Sequence, residues 1–292
     1  MNIVDLHVHS TKSDGSMTPT ELVELAVQKR LSAFALTDHD TVEGLDEAME
    51  AAARYNASLS EDSDGKIPLE VIPGIEFATE YRGKDIHILG LYIDYHSSVF
   101  KQKIQEFVNS RILRNQKMCQ SLASDGIDIT YEKLIEEFPE SVITRSHYAS
   151  YLLNHGYVKS RQEAFERYVG DHTKHFMPRE KITPAQAVAL INEVHGFAIL
   201  AHPPLYHMRD EDLETLVAQL KEAGLGGIEA VYSTYNLGEE RQMRQLAAKY
   251  DLLISGGSDF HGINKPKLDM ATGYGKLFIP EELLLKIKEK LQ

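Results

Sequence analysis

The chain has 292 residues, 42% of them hydrophobic, with 31 Lys and Arg against 44 Asp and Glu and a formal net charge of −13. That length holds one large domain, or one domain with a smaller insert. The acidic balance excludes the Lys/Arg field that grips extended duplex nucleic acid, but not a small phosphorylated substrate, because bound divalent cations reverse the local sign. A single cysteine, Cys119, excludes an internal disulfide framework and is expected to pack a helix. No run approaches about 18 consecutive apolar residues, so no membrane span is expected. No basic n-region with an apolar h-region opens the sequence, so no secretory signal is expected and a cytoplasmic location is the default.

Met1–Val8 reads as a strand, apolar from Ile3 to Val8. Thr18-Pro19-Thr20-Glu21 starts a helix, with Thr18 as N-cap, Pro19 at the first helical position and Glu21 three residues after the cap. That helix runs Pro19–Arg30 with Leu22, Leu25 and Ala26 on one face. A strand at Ser32–Thr37 and an alanine-rich helix at Glu43–Tyr55 follow. Leu59–Lys66 is polar, with Asp-Gly turn chemistry, and reads as a surface loop. Leu69–Ile72 reads as a strand ending in Pro73-Gly74, and Phe77–Tyr81 and Asp85–Ile93 as two strands joined by the Arg82-Gly83-Lys84 turn.

From about Ser97 the pattern turns helical: Phe100–Ser124 is one long helix, and further helices reach about Tyr168 without strand signals. Alternation returns near Thr183. Helices Pro184–His195, Glu211–Ala223, Gly238–Tyr250 and Glu281–Lys290 interleave with strands Phe197–Ala201, Gly227–Ala230 and Leu252–Ser255. Such repeats predict an α/β fold with a parallel sheet or barrel, and six or seven units favour the (β/α) barrel. Residues 1–97 and 184–292 would then form the barrel, with 98–183 an all-helical insertion.

Alternate residues of a strand face one side, so His7 and His9 can aim both imidazoles into one site. Neutral imidazole is the commonest protein ligand for metals. Similar clusters end other predicted strands: Asp14 just beyond His9, Thr37-Asp38-His39-Asp40, Gly74-Ile75-Glu76, Ala201-His202-Pro203 and Ser258-Asp259-Phe260-His261-Gly262. His87 sits inside a strand among Ile86, Ile88 and Leu89. Plainer readings exist for each: a hydrogen-bonded structural histidine, Asp38 or Asp40 as turn former or N-cap, Asp14 as a turn residue before Gly15. Glu76 resists one, because a buried carboxylate is costly unless paired or ligating. The C-terminal strand ends of a barrel form one mouth, where all these groups could meet.

Asp5-Leu6-His7-Val8-His9-Ser10, Thr37-Asp38-His39-Asp40, Gly74-Ile75-Glu76, His87, Ala201-His202-Pro203 and Ser258-Asp259-Phe260-His261 together resemble the signature of the polymerase and histidinol phosphatase (PHP) superfamily. The resemblance implies a distorted (β/α)7 barrel holding two or three divalent metals. It implies His7, His9, Glu76 and Asp259 on one metal, Glu76, His87 and His202 on a second, and Asp14, His39 and His261 on a third. Many members carry histidine where Asp14 stands. Within the insert, Thr144-Arg145-Ser146-His147-Tyr148-Ala149, Gly156-Tyr157-Val158, Glu163-Ala164-Phe165, Val169-Gly170 and Met177-Pro178-Arg179 resemble a narrower branch. That branch contains phosphatases of AMP or 3′,5′-bisphosphonucleotides and 5′→3′ exoribonucleases of short RNA. Its frequent Arg-Pro-His is Arg145-Ser146-His147 here.

The implied reaction is hydrolysis of a phosphate ester by attack of metal-bound hydroxide. A mixed His/carboxylate shell suits Mn²⁺, Fe²⁺ or Zn²⁺ better than Mg²⁺. Asp38 and Asp40 are expected to orient ligating histidines, and His147 to lie near the substrate. Arg145 is expected to fork onto a phosphate, with Lys174, Arg179, Ser233 and Tyr235 as further contacts. A histidinol-phosphate phosphatase, an amidohydrolase and a non-catalytic metal-binding domain are the competing readings. The Arg145-bearing insert argues against the first, the lack of a suitable barrel Lys against the second, and the intact ligand set against the third.

Overall fold

The computed structural model describes residues 2–59, 66–170, 172–177 and 182–292. Most of the expected Leu59–Lys66 loop, together with Arg179, lies outside the described residues. Seven strands form one sheet in chain order: β1 (Val4–Val8), β2 (Ala33–Leu36), β3 (Glu70–Tyr81), β4 (Lys84–Leu91), β5 (Phe197–Leu200), β6 (Gly227–Tyr232) and β7 (Leu253–Gly257). Just past β7, Asp259 N donates to His7 O at 2.9 Å and His9 N to Phe260 O at 3.0 Å. These bonds bring the last strand back to the first and nearly close the sheet into a barrel.

The sheet is mixed rather than wholly parallel, because β4 runs antiparallel to both β3 and β5. A tight Arg82-Gly83 turn can only reverse the chain, and β4 fills the place of a parallel strand. Two expected strands are also one. β3 runs through Pro73-Gly74, pairing with β2 up to Pro73 and with β4 from Gly74 onward. The glycine serves close approach instead of a turn: a Cβ on Gly74 would lie 2.9 Å from Thr37 Cγ2 and 3.0 Å from the carbonyl oxygens of Gly90 and Leu36. Glu76 therefore sits inside a strand, not after one.

The helices are α1 (Pro19–Gln28), α2 (Leu45–Ala57), α3 (Ser98–Ser124), α4 (Tyr131–Glu137), α5 (Arg145–Asn154), α6 (Arg161–Ala164), α7 (Pro184–Glu193), α8 (Asp210–Glu222), α9 (Leu237–Lys249) and α10 (Glu281–Leu291). Capping boxes form at Thr18/Glu21 and Thr183/Gln186, each followed by proline, so local chemistry fixes both starts. Strand alternation divides the apolar residues into two layers. Phe34 and Leu36 pack with α1, α2 and α7–α9, whereas Ala33 and Ala35 pack with Leu89, Ile199 and α10. The segment α3–α6 builds a third cluster of its own around Met118, Leu122, Tyr148, Leu152 and Val169.

Candidate metal centre

The cage begins on β1. His7 Nε2 and His9 Nε2 lie 3.1 Å apart, as same-face strand residues can. Glu76 reaches them from β3: its Oε2 is 3.2 Å from His7 Nε2, 3.1 Å from His9 Nε2 and 3.1 Å from His39 Nδ1. Its Oε1 is 2.8 Å from His87 Nδ1 on β4 and 3.1 Å from His202 Nε2 after β5. One buried carboxylate thus stands between two groups of imidazoles. Asp259 Oδ1, after β7, lies 3.6 Å from His7 Nε2 and 3.3 Å from His9 Nε2. Asp14 Oδ1 is 3.1 Å from His261 Nε2, 3.9 Å from His39 Nε2 and 4.0 Å from His9 Nδ1. His39 therefore faces Asp14 with one ring nitrogen and Glu76 with the other.

Backbone strain helps aim these groups. His202 has φ 28° and Asp259 φ 56°, conformations non-glycine residues rarely adopt and which persist only where surrounding structure enforces them.

The donor set fits divalent ions. Asp14 Oδ1, His39 Nδ1 and His202 Nδ1 are buried without a hydrogen-bond partner, and such atoms are costly unless something else binds them. Groups including His7, His9 and Glu76, and His9, Asp14, His39 and His261, place one donor atom per residue within 4.8 Å of one another. No cysteine takes part, and a His/carboxylate shell is that of catalytic sites more than structural ones.

Charge is shared across the cage. Burial pushes the Glu76 carboxyl up, but His39, His7 and His87 around it bring it well below the usual carboxylate range. Asp14 and Asp259 are likewise lowered against their burial, Asp14 chiefly by His261 and His39, Asp259 by Lys265 and His7. Burial lowers His9, yet hydrogen bonds to Asp259 and Glu76 raise it to about 9. Burial dominates at His39, which falls to about 3 and stays neutral.

Outside the cage, Glu229 on β6 lies 3.1 Å from His7 Nδ1 through Oε1 and accepts His202 N at 2.8 Å through Oε2. It holds the His7 ring with Nε2 toward the cage. Asp38 accepts Ser10 N at 2.8 Å and the hydroxyls of Ser10 at 2.6 Å and Ser13 at 2.5 Å. Ser13 Oγ in turn stands 3.4 Å from His9 Nδ1, so Asp38 acts on His9 through a serine. Asp40 accepts Ala78 N at 3.0 Å and pairs with the Arg111 guanidinium at 2.7 Å. Tyr232 OH donates to Asp259 Oδ2 at 2.5 Å, and Lys265 Nζ lies 2.5 Å from the same oxygen.

Over the cage lies a cavity of about 640 Å³, walled by the barrel and by the α3–α6 segment. Arg111, Arg114, Arg145, Arg161 and Lys265 line it, together with the carboxylates of Asp14, Glu76, Glu80, Asp85 and Asp259. Arg145 NH2 pairs with Asp85 at 2.9 Å, and its guanidinium sits 5.6 Å from the centre of the Phe176 ring.

Several expected contacts lie elsewhere. Asp38, Asp40 and His147 do not line the cavity. His147 Nδ1 accepts Thr144 N at 2.9 Å and closes the α5 capping box; burial lowers it to about 4, so it is a neutral structural group. Lys174 pairs with Asp125 at 2.6 Å on the surface. Ser233 donates to Ser258 O and Tyr235 to Glu229 O, and neither lines the cavity. These side chains found partners close by, which spacing alone does not reveal. Sequence reasoning missed Arg111, Arg114, Arg161, Lys265, Tyr232 and Glu229. Only Glu229 carried a signal, a carboxylate inside the apolar strand Gly227–Tyr232, the same anomaly that marked Glu76.

Fold and cage together define a metal-dependent hydrolase on an α/β barrel. The family model described as "PHP domain" matches residues 5–223. A 5′-3′ exoribonuclease of Haemophilus influenzae is 34% identical over 88% of this chain and 89% of that protein. A 3′,5′-nucleoside bisphosphate phosphatase of Chromobacterium violaceum is 32% identical over 88% of this chain and 87% of that protein. A solved chain from Bifidobacterium adolescentis, provisionally described as a metal-dependent phosphoesterase, superposes with a TM-score of 0.82 at 26% identity, covering 98% of this chain and 95% of that one. The chain belongs to the PHP domain family.

Proposed function

We propose that this protein is a metal-dependent phosphoesterase acting on a nucleotide, AMP or a 3′,5′-bisphosphonucleotide, or on the 5′ end of a short RNA. The observation that carries this reading is Glu76, whose two oxygens divide the cage into a His7/His9/His39 side and a His87/His202 side beneath a cavity that arginines and a lysine enter beside the carboxylates. Relatives with phosphatase and exoribonuclease names align along most of the chain.

His7, His9, Glu76 and Asp259 would hold one ion, Glu76, His87 and His202 a second, and Asp14, His39 and His261 a third. The donors suit Mn²⁺, Fe²⁺ or Zn²⁺. When bound, such ions neutralise phosphate charge and activate water. The chain's own residues do the rest. Arg161 and Lys265 in the cavity wall attract the phosphate. Arg145, steadied by Asp85 and Phe176, offers its guanidinium from the opposite segment. Residues 98–183 act as an insertion that roofs the barrel mouth and limits access to mononucleotides and single-stranded ends. Among the described residues no helix is long and apolar enough to cross a membrane, and we assign the protein to the cytoplasm.

The test is turnover of p-nitrophenyl phosphate with added Mn²⁺, followed by AMP, 3′-phosphoadenosine 5′-phosphate, a short 5′-phosphorylated RNA and histidinol phosphate. A nucleotide or RNA substrate is expected to exceed histidinol phosphate by at least about tenfold in kcat/KM, a difference of about 1.4 kcal/mol. No turnover of any ester, or a preference for histidinol phosphate, overturns the reading. Arg145→Ala should retain metal content and raise KM by about tenfold or more, the loss of a charged hydrogen bond; unchanged KM and kcat remove Arg145 from the substrate site.

A further inference from the structure

We infer that the helical segment assembles the Asp14 side of the cage, with Thr144 and Arg111 as positioning residues for one ion and not for the others. The inference rests on the metal-site reading above.

The cage has two kinds of support. His7 and His9 lie on or at the end of β1, Glu76 in β3 and His87 in β4, so the sheet ladder itself sets their places. Asp14 lies in the irregular stretch between β1 and α1, where no ladder holds it. The α3–α6 segment clasps that stretch from one side, while Asn264 Nδ2, after β7, donates to Asp14 O at 2.9 Å from the other. Thr144 Oγ1 donates to Asp14 Oδ2 at 3.1 Å. Val142 N donates to Lys12 O at 2.9 Å, Ser141 Oγ to Thr11 O at 2.5 Å, and Lys12 pairs with Glu140. Four residues of one loop, 140–144, therefore clasp residues 11–14.

The Thr144 bond has a directional consequence. A carboxylate oxygen engaged by a hydroxyl is turned away from the cage, so Asp14 presents Oδ1 to His261, His39 and His9. Oδ1 is also the Asp14 oxygen left buried without a hydrogen-bond partner.

His39 receives the second support. It is followed by Asp40, whose φ is 52° and whose Oδ2 takes both prongs of the Arg111 fork from α3, Nε at 2.8 Å and Nη2 at 2.7 Å. Both partners are buried, and the same carboxylate accepts Ala78 N from β3. Arg111 thus pins the turn that aims His39. Two of the three Asp14-side ligands take a side-chain support from the helical segment in addition to their barrel bonds, whereas the other groups of the cage stand on the barrel. For His39 those barrel bonds are the flanking Asp40 N to Glu76 O (3.0 Å) and Glu76 N to Asp38 O (3.1 Å) bonds to β3.

The experiment strips the full-length protein of metal and titrates it with Mn²⁺ by calorimetry, with elemental analysis of the reloaded protein. Thr144→Val removes the hydroxyl at nearly constant volume, and Thr144→Ser restores it. Thr130→Val removes the equivalent cap of α4, which lies outside the cavity lining, and controls for loss of an N-cap. Arg111→Lys keeps the charge on Asp40 and loses the fork, so it stands in if Thr144→Val fails to fold. The expected result is one Mn²⁺-binding step weakened by about tenfold or more in Thr144→Val and in Arg111→Lys, the range for outer hydrogen-bond partners of metal ligands. The remaining steps hold, and Thr144→Ser and Thr130→Val match the parent. A parent that binds ions while both variants bind them equally well, or lose all steps together, overturns the assembly role alone. A parent that binds no divalent ion overturns the metal-site reading beneath it.

Discussion

Glu229→Gln isolates a carboxylate that touches no substrate-facing surface. Glu229 is fully buried and accepts at both oxygens, from the His7 ring at Nδ1 and from His202 N. Glutamine has one acceptor and one donor end. Whichever way the amide turns, one N–H of His7 or His202 faces another donor, in a place without water. A buried donor left unsatisfied costs about 1–3 kcal/mol. If His7 loses its partner, its ring no longer holds Nε2 toward Glu76 and His9, and that cost appears in metal binding. The corresponding loss is about tenfold to 100-fold in Mn²⁺ affinity, which is also the range for outer-shell partners of metal ligands. If His202 N loses its partner, the cost falls on folding stability and on the turn at His202. Calorimetric Mn²⁺ titration and thermal unfolding of the metal-free protein together capture both outcomes. Affinity within about threefold of the parent with an unchanged Tm would refute the role of Glu229 in holding His7 and His202.

Glu76→Ala should lose bound metal and phosphoesterase activity together, and retention of activity within about tenfold would contradict a bridging carboxylate. Metal affinity should fall with acid: His9, raised to about 9, carries a proton below that value, and an incoming ion must displace it. Titrations in buffers of different ionisation enthalpy should show proton release at pH 7.5, and none would refute the His9 assignment. In the metal-free protein the sign reverses. A raised histidine contributes stability below its ordinary value of 6.5, and that contribution is lost as pH rises through about 9, which thermal unfolding across that window would register. Gly257→Ala would place a Cβ 2.2 Å from His7 Cβ and 2.9 Å from Glu229 Oε1. Forcing β7 from β1 should cost about 1–3 kcal/mol and weaken metal binding, and an unchanged Tm would show that the barrel seam yields freely.

Much of this protein is written locally. The Thr18 and Thr183 capping boxes lie within single turns, and each helix starts where its cap stands. The His7/His9 pair is legible because a strand period of two places both rings on one face. The helical stretch from Ser98 onward announces itself by the absence of strand signals. The Pro73-Gly74 pair misleads because the turn chemistry of those residues is a local preference, and β3 overrides it by giving both its halves partners on β2 and β4.

What only the tertiary structure decided is which distant groups share an atom. Nothing near Arg111 in sequence points to Asp40, 71 positions away, nor anything near Thr144 to Asp14, 130 positions away. Lys174 and Tyr235 looked able to meet a substrate, yet each met a nearer partner first. Periodicity fixes the direction of a side chain relative to its own element. The partner that side chain meets depends on how the elements dock, and docking is set by burial over the whole barrel, which no short stretch of the chain contains.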